Sequence, residues 1–171
     1  TAFSSLGAGS MIGLGEPLLD LSMKLQDAGV RPEVTEDLIG RVRDVTDARE
    51  LLGTTRLLTV TGSGGIGKSR LVLQVVARTA DDFVDGVWIA DFGALSDPAH
   101  VDRVVASVFE LGDEPGRPAR EVVIGHLRNR RVLVVLDNCE HLIDACASLA
   151  TALLRGCPGL TLVASSREPL A

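Results

Sequence analysis

An α/β fold, three layers deep around a mainly parallel sheet, is what this chain predicts, and three observations carry the prediction. A glycine-rich loop, Gly62-Ser63-Gly64-Gly65-Ile66-Gly67-Lys68-Ser69, sits between the apolar run 56–61 and a helical pattern through Leu71, Val72, Val75 and Val76. Short apolar runs then recur at 86–92, 132–137 and 160–164, separated by stretches with apolar residues at helical spacing. The run Val132-Leu133-Val134-Val135-Leu136 is apolar without alternation, as expected of a strand buried on both faces by covering helices.

The elements follow in order. Residues 1–15, rich in glycine and serine, read as a flexible lead-in. From Glu16-Pro17 to Ala28, Leu18, Leu21 and Leu25 share one face, Pro17 suits a first turn and Gly29 a stop, which predicts a short amphipathic helix. After a connector over 30–37, Leu38-Ile39-Gly40-Arg41 opens a helix that Gly53 ends. The first strand enters the glycine loop, and a helix from Lys68 to about Ala80 leaves it. A second strand covers 86–92. Asp97 caps and Pro98 begins a helix whose stripe is Val101, Val104, Val105, Val108 and Phe109. A helix over about 118–129 precedes the third strand, 132–137. Another over about 140–155, with Leu142, Ile143, Cys146, Leu149 and Leu153 inward, precedes the fourth strand, 160–164.

At 171 residues the chain is long enough for one well-buried core, and 46% of it is hydrophobic. With 4 Phe, 1 Trp and no Tyr, base-stacking platforms are scarce, and the net charge of −6 lacks the basic excess of a nucleic-acid surface. Direct nucleic-acid binding by this segment is therefore not expected. Cys139, Cys146 and Cys157 are too few for a disulfide framework, which favours a reducing, cytoplasmic setting. With His141 they have no C-x-x-C spacing, so a thiolate metal site is not expected. Neither a signal peptide nor a membrane span is read.

The glycine loop has the P-loop form G-x-x-x-x-G-K-S, with Arg70 following. Glycines let backbone N–H groups turn onto phosphate oxygens, and the following helix N-terminus favours their charge. Lys68 would neutralise the terminal phosphates, and the Ser69 hydroxyl would ligate Mg²⁺. Asp137, ending the third strand, would share that ion, in the Walker B manner; a helix cap is the bland alternative. Asn138 follows where many such ATPases carry a carboxylate, and an amide cannot take the proton of an attacking water. Glu140 stands as a substitute, although a helix start also favours an acid there. Slow hydrolysis is the expectation. Arg167, just past the fourth strand, offers a planar charged fork for a γ-phosphate; the alternatives are a solvated side chain or a pair with Glu168.

The segments VTGSGGIGKSRL, DGVWIADFGALSDP, RRVLVVLDNCEHL and LVASSREPL, in this order, resemble the nucleotide-binding domain of STAND-class, NB-ARC-like ATPases. The nearest resemblance is to the large ATP-binding LuxR-type and SARP-type bacterial transcriptional regulators, over about residues 38–171. It implies an ASCE-type P-loop NTPase sandwich, here without its fifth strand and C-terminal helical domains, preceded by residues 1–37 as a separate lead-in and helix. It also implies ATP/ADP and Mg²⁺ as ligands, with Ile39, Gly40 and Arg41 near adenine and Arg167 as γ-phosphate sensor. The departures are Val42, where an acid is usual, and the stop after the fourth strand. The implied function is an ATP/ADP switch in a multidomain regulator, with Lys68, Asp137 and Arg167 in a weak ATPase site. The implied partners are winged-helix, DNA-binding and sensor domains of the same chain, and other copies on activation. A self-contained P-loop enzyme, an efficient ATPase or small kinase, is the alternative.

Overall fold

The computed structural model describes residues 10–12, 35–63, 67–167 and 170. The strands are β1 (Ser10–Ile12), β2 (Leu57–Thr61), β3 (Val87–Asp91), β4 (Val132–Asp137) and β5 (Leu160–Ser166). The helices are α1 (Thr35–Thr54), α2 (Lys68–Thr79), α3 (Val101–Val108), α4 (Ala119–Leu127) and α5 (Ile143–Gly156), with 3-10 turns at Ala80–Asp82, Pro98–His100 and Cys139–His141.

The sheet order is β1-β3-β4-β5-β2, and β3, β4, β5 and β2 run parallel. The strand after the glycine loop's partner helix is thus not beside the loop strand; β5, last in the chain, is inserted between β4 and β2. All four parallel strands carry their C-terminal ends to one edge, where ligands of open α/β sheets bind. The register puts Asp91 opposite Asp137 and Val60 opposite Ser165.

Residues of β4 alternate between two cores, which is why the strand reads as unbroken apolar sequence. Val132, Val134 and Leu136 pack with α3, α4 and α5, including Val105, Val123, Leu127, Leu149 and Leu153. Leu133 and Val135 pack with Val72 and Val76 of α2 and with Phe83. Helices on both faces make the three-layer P-loop NTPase sandwich that the sequence predicts. Removing a Val or Leu side chain from water contributes roughly 1.5–3 kcal/mol, so the 20 buried Val and Leu of these two cores dominate over any polar contact.

Three boundaries differ from expectation. Ser10–Ile12 is a strand, not lead-in: it pairs antiparallel on β3, with Met11 opposite Trp88. Helix α1 starts at Thr35, inside the expected connector, and continues through Gly53 to Thr54. Gly53 meets no steric demand for its missing side chain, and the Thr54 and Thr55 hydroxyls donate to the Leu51 carbonyl at 3.0 and 3.1 Å, closing the last turn. β5 is two residues longer than read, because Ser165 and Ser166 pair with β2 like the apolar residues before them. The helix expected over 16–28 lies outside the described residues.

Asp97 caps as expected, accepting from Ala99 N at 2.9 Å, but what it caps is the 3-10 turn that leads into α3. Gly159, before β5, approaches the chain before β4 so closely that a Cβ would lie 2.4 Å from the Arg130 carbonyl oxygen. Backbone cannot yield there as a side chain tip would. Gly159→Ala is expected to cost about 1–3 kcal/mol of stability through overpacking, measured by urea denaturation; an unchanged midpoint would show that the two chain segments separate freely.

Candidate functional site

The sheet's C-terminal edge carries Gly62, Gly67, Lys68, Ser69, Asp137 and Arg167 of the predicted residues. Gly67 has φ 86°, a left-handed conformation open to glycine at little cost, and hands the chain to α2, whose first two residues are Lys68 and Ser69. Leu71 N donates to Gly67 O at 3.0 Å, so the helix is hydrogen-bonded from its first turn. Among the described residues no side chain caps this N-terminus, and uncapped first-turn N–H groups are what an anion site requires.

Ser69 Oγ donates to Asp137 Oδ1 at 3.0 Å. This contact joins the loop helix to the end of β4, two segments 68 residues apart. Ser165 Oγ, from the end of β5, donates to the same oxygen, and Asn138 N donates to it at 3.1 Å. Asp137 is therefore bound by several partners and is not a helix cap. Asn138 takes the left-handed conformation at φ 61°, tolerated by asparagine, and donates from Nδ2 to Asp91 Oδ1 at 2.7 Å. Gly93 N donates to that oxygen at 2.8 Å. Because a carboxylate only accepts, Asp91 fixes which end of the Asn138 amide faces it.

Lys68 Nζ turns back onto its own loop, donating to Gly62 O at 2.9 Å and Ser63 O at 3.2 Å. The ammonium thus lies over the loop. Arg167 lies just past β5, and its Nε is 3.5 Å from Glu140 Oε1; Glu168 is outside the described residues. The Arg167 side chain is 64% exposed. Gly64, Gly65 and Ile66 are likewise outside the described residues. Arg70 lies in the first turn of α2. Ile39, Gly40 and Arg41 lie in α1, whose Val45, Ala48 and Leu52 pack in one cluster with Val75 of α2 and Leu58 of β2.

Mg²⁺ prefers oxygen and is ordinarily held by one or two side chains with phosphates and waters. A hydroxyl and a carboxylate already within 3.0 Å of one another, Ser69 and Asp137, fit that demand. Among the described residues no group of three His, Cys, Asp or Glu side chains is placed to hold a metal. Cys139, Cys146 and Cys157 are buried free thiols. Burial raises Cys157 above the usual thiol range, and Cys139, hydrogen-bonded to Cys146 and buried, is raised further. They are small apolar residues of the core.

Sequence reasoning missed Asp91 and Ser165. Both end strands, and both matter only because of which strand neighbours which: β3 flanks β4 on one side and β5 on the other. An acid or hydroxyl closing a strand was the available signal.

No protein-family model matches the chain. An uncharacterized protein of Mycobacterium tuberculosis is 42% identical over 132 residues, covering 77% of this chain and 34% of that protein. A second M. tuberculosis protein, named as a candidate HTH-type transcriptional regulator, is 43% identical over 122 residues, covering 71% of this chain and 14% of it. The regulatory protein AfsR of Streptomyces coelicolor is 30% identical over 155 residues, covering 72% of this chain and 15% of AfsR. The chain spans about a third or less of these relatives. Among solved structures, Cdc6p from Pyrobaculum aerophilum has the same fold, with TM-score 0.57, 17% identity, and 75% of this chain and 39% of that one covered. Among the described residues no helix is long and apolar enough to cross a membrane.

Proposed function

We propose that this chain is the adenine-nucleotide switch of a multidomain transcriptional regulator of the STAND, NB-ARC-like kind. The observation that carries the reading is the Ser69–Asp137 contact at 3.0 Å, which brings a P-loop serine and a strand-end carboxylate together across the sheet edge. The likeness to regulators much longer than this chain supports the regulatory half.

ATP or ADP would lie with its phosphates on Gly62–Ser69, Lys68 and Arg70 supplying charge. Mg²⁺, held by Ser69 and Asp137, would offset phosphate charge and orient the terminal phosphate. Lys68 leaves the Gly62 and Ser63 carbonyls to reach phosphate oxygens. Arg167 exchanges Glu140 for the γ-phosphate, which ADP lacks, and so distinguishes the two nucleotides. The carboxylate of Asp137 stays fixed by Ser165 and the Asn138 N–H whatever Ser69 does. The amide of Asn138 takes no proton, so hydrolysis is slow and the site holds its nucleotide. Adenine placement near Ile39–Arg41 belongs to this proposal and rests on the resemblance alone.

A switch needs differential affinity: about 1.4 kcal/mol shifts a two-state ratio tenfold, within reach of one charge-assisted contact. Titration calorimetry with Mg²⁺ and ADP, ATP or a nonhydrolysable analogue is the test. Binding of both is expected, and Arg167→Ala is expected to lower ATP affinity about tenfold while leaving ADP unchanged. An unaltered ATP-to-ADP ratio removes the sensor role, and absence of binding removes the reading. Phosphate release well above about 1 s⁻¹ would favour the self-contained enzyme instead.

A further inference from the structure

We infer that the N-terminal edge of the sheet, opposite the glycine loop, docks an acidic segment of a partner protein, one that seats an apolar side chain beside its carboxylates. Arg56 leads into β2, Arg130 and Arg131 lead into β4, and the turn 157–159 leads into β5, so three strand entries meet at this edge. Arg56 Nη1 donates to Leu154 O at 2.9 Å and to Cys157 O at 3.2 Å. On the other side of the turn, Gly159 lies directly against the Arg130 and Arg131 backbone. Arg155 stands in the last turn of α5, and Arg128 follows α4. Five arginines and no lysine thus ring one turn.

Their charge is only partly offset. Among the described residues no ion pair involves Arg56, Arg128, Arg130, Arg131 or Arg155. Asp85 brings one carboxylate to the edge, accepting from Arg131 N at 2.7 Å. The C-termini of α4 and α5 each add about half a negative charge. These leave an excess of roughly three positive charges, on a chain whose formal net charge is −6. Arg128, Arg131 and Arg155 are exposed.

Beside the cluster is a cavity of about 470 Å³ lined by Arg117, Glu121, Ile124, Gly125 and Arg128. It adjoins the ringed turn, because a Cβ on Gly156 would lie 2.6 Å from Ile124 Cγ2. Arg117 is already paired with Glu114 at 2.5 Å, which leaves Arg128 as the cation that cavity and cluster share. Ile124 and Gly125 give the cavity an apolar floor, and an aliphatic side chain flanked by acids fits that floor and its charged rim. A phosphate backbone has no such side chain. Arginine rather than lysine is also the cation enriched at protein interfaces, where its planar fork takes a carboxylate through two hydrogen bonds. A short acidic peptide meets only this pole, whereas an extended polyanion such as DNA also meets the negative remainder of the chain.

Fluorescence anisotropy with the full chain and three labelled probes tests the inference: an oligoglutamate, the same peptide with one central leucine, and a short DNA duplex. The leucine peptide is expected to bind about fivefold more tightly than the all-glutamate one, and both are expected to weaken as salt rises. The combined variant Arg128→Glu, Arg131→Glu, Arg155→Glu is expected to bind the leucine peptide at least about tenfold more weakly with its melting temperature nearly unchanged, since all three side chains are exposed. If charge reversal lowers the melting temperature, the same positions changed to glutamine carry the comparison. Arg49→Glu, on the exposed side of α1, is expected to leave peptide binding unaltered. Absence of peptide binding by the unaltered chain overturns the inference, as does undiminished binding by the folded combined variant. Equal affinity for the two peptides removes the apolar seat and overturns it in this form. Tighter binding of the duplex than of either peptide overturns it in favour of a nucleic acid.

Discussion

Replacing Lys68 by methionine is expected to weaken binding of both ATP and ADP by about 100-fold or more. A hydrogen bond to a charged group contributes about 1.5–3 kcal/mol net, and loss of about 2.7 kcal/mol is a hundredfold in Kd. The ammonium sits at the start of α2 within reach of the loop, 2.9 Å from Gly62 O, so a phosphate entering there meets it directly. Part of the gain is an exchange, because Lys68 already satisfies two loop carbonyls. Methionine keeps the length of the side chain and removes only the charge and its donors. Calorimetry with ADP and Mg²⁺ reads the effect, and wild-type affinity in the variant would mean that the glycine loop is not the phosphate site.

Phe92→Ala is expected to carry the largest stability cost, about 3–5 kcal/mol. Phe92 is fully buried between β3 and the α3–α5 layer. It is the largest side chain in that core cluster's strand-end region, and its N–H donates to Asp137 O at 3.0 Å. Emptying its volume therefore loosens the packing beneath the site as well as the core. Urea unfolding measures the loss; a cost below about 1 kcal/mol would show that neighbouring side chains collapse into the space.

Elements whose reason lies in their own residues were legible. β4 has the expected bounds because five consecutive aliphatics have no partner other than two covering layers. The Asp97-Pro98 start and the stripe from Val101 to Phe109 likewise follow from local chemistry. What failed depends on distant chain. Ser165 and Ser166 read as the end of a strand until β2 supplies their ladder partners. Ser10–Ile12 is too short to announce itself and is a strand only because β3 has a free edge. At the site, Ser69 and Asp137 were paired on chemical grounds and the geometry joins them. For Arg167 the sequence offered a γ-phosphate, solvent or Glu168, and it did not display Glu140, which the β4–β5 pairing brings near. Asp91 escaped notice because strand order, which sequence does not display, decides that it neighbours Asp137.

One oxygen, Asp137 Oδ1, receives Ser69 from α2, Ser165 from β5 and the backbone of Asn138. Ser165 is two residues from Arg167. A cation drawing on that carboxylate, through Ser165, and a phosphate drawing on that arginine would therefore both pull on the end of β5. By linkage the help must be mutual: whatever factor the metal adds to the grip on a γ-phosphate, the γ-phosphate returns to the metal. On the proposed nucleotide reading, the edge of the sheet would then behave as a coincidence detector, firmest when ion and triphosphate arrive together.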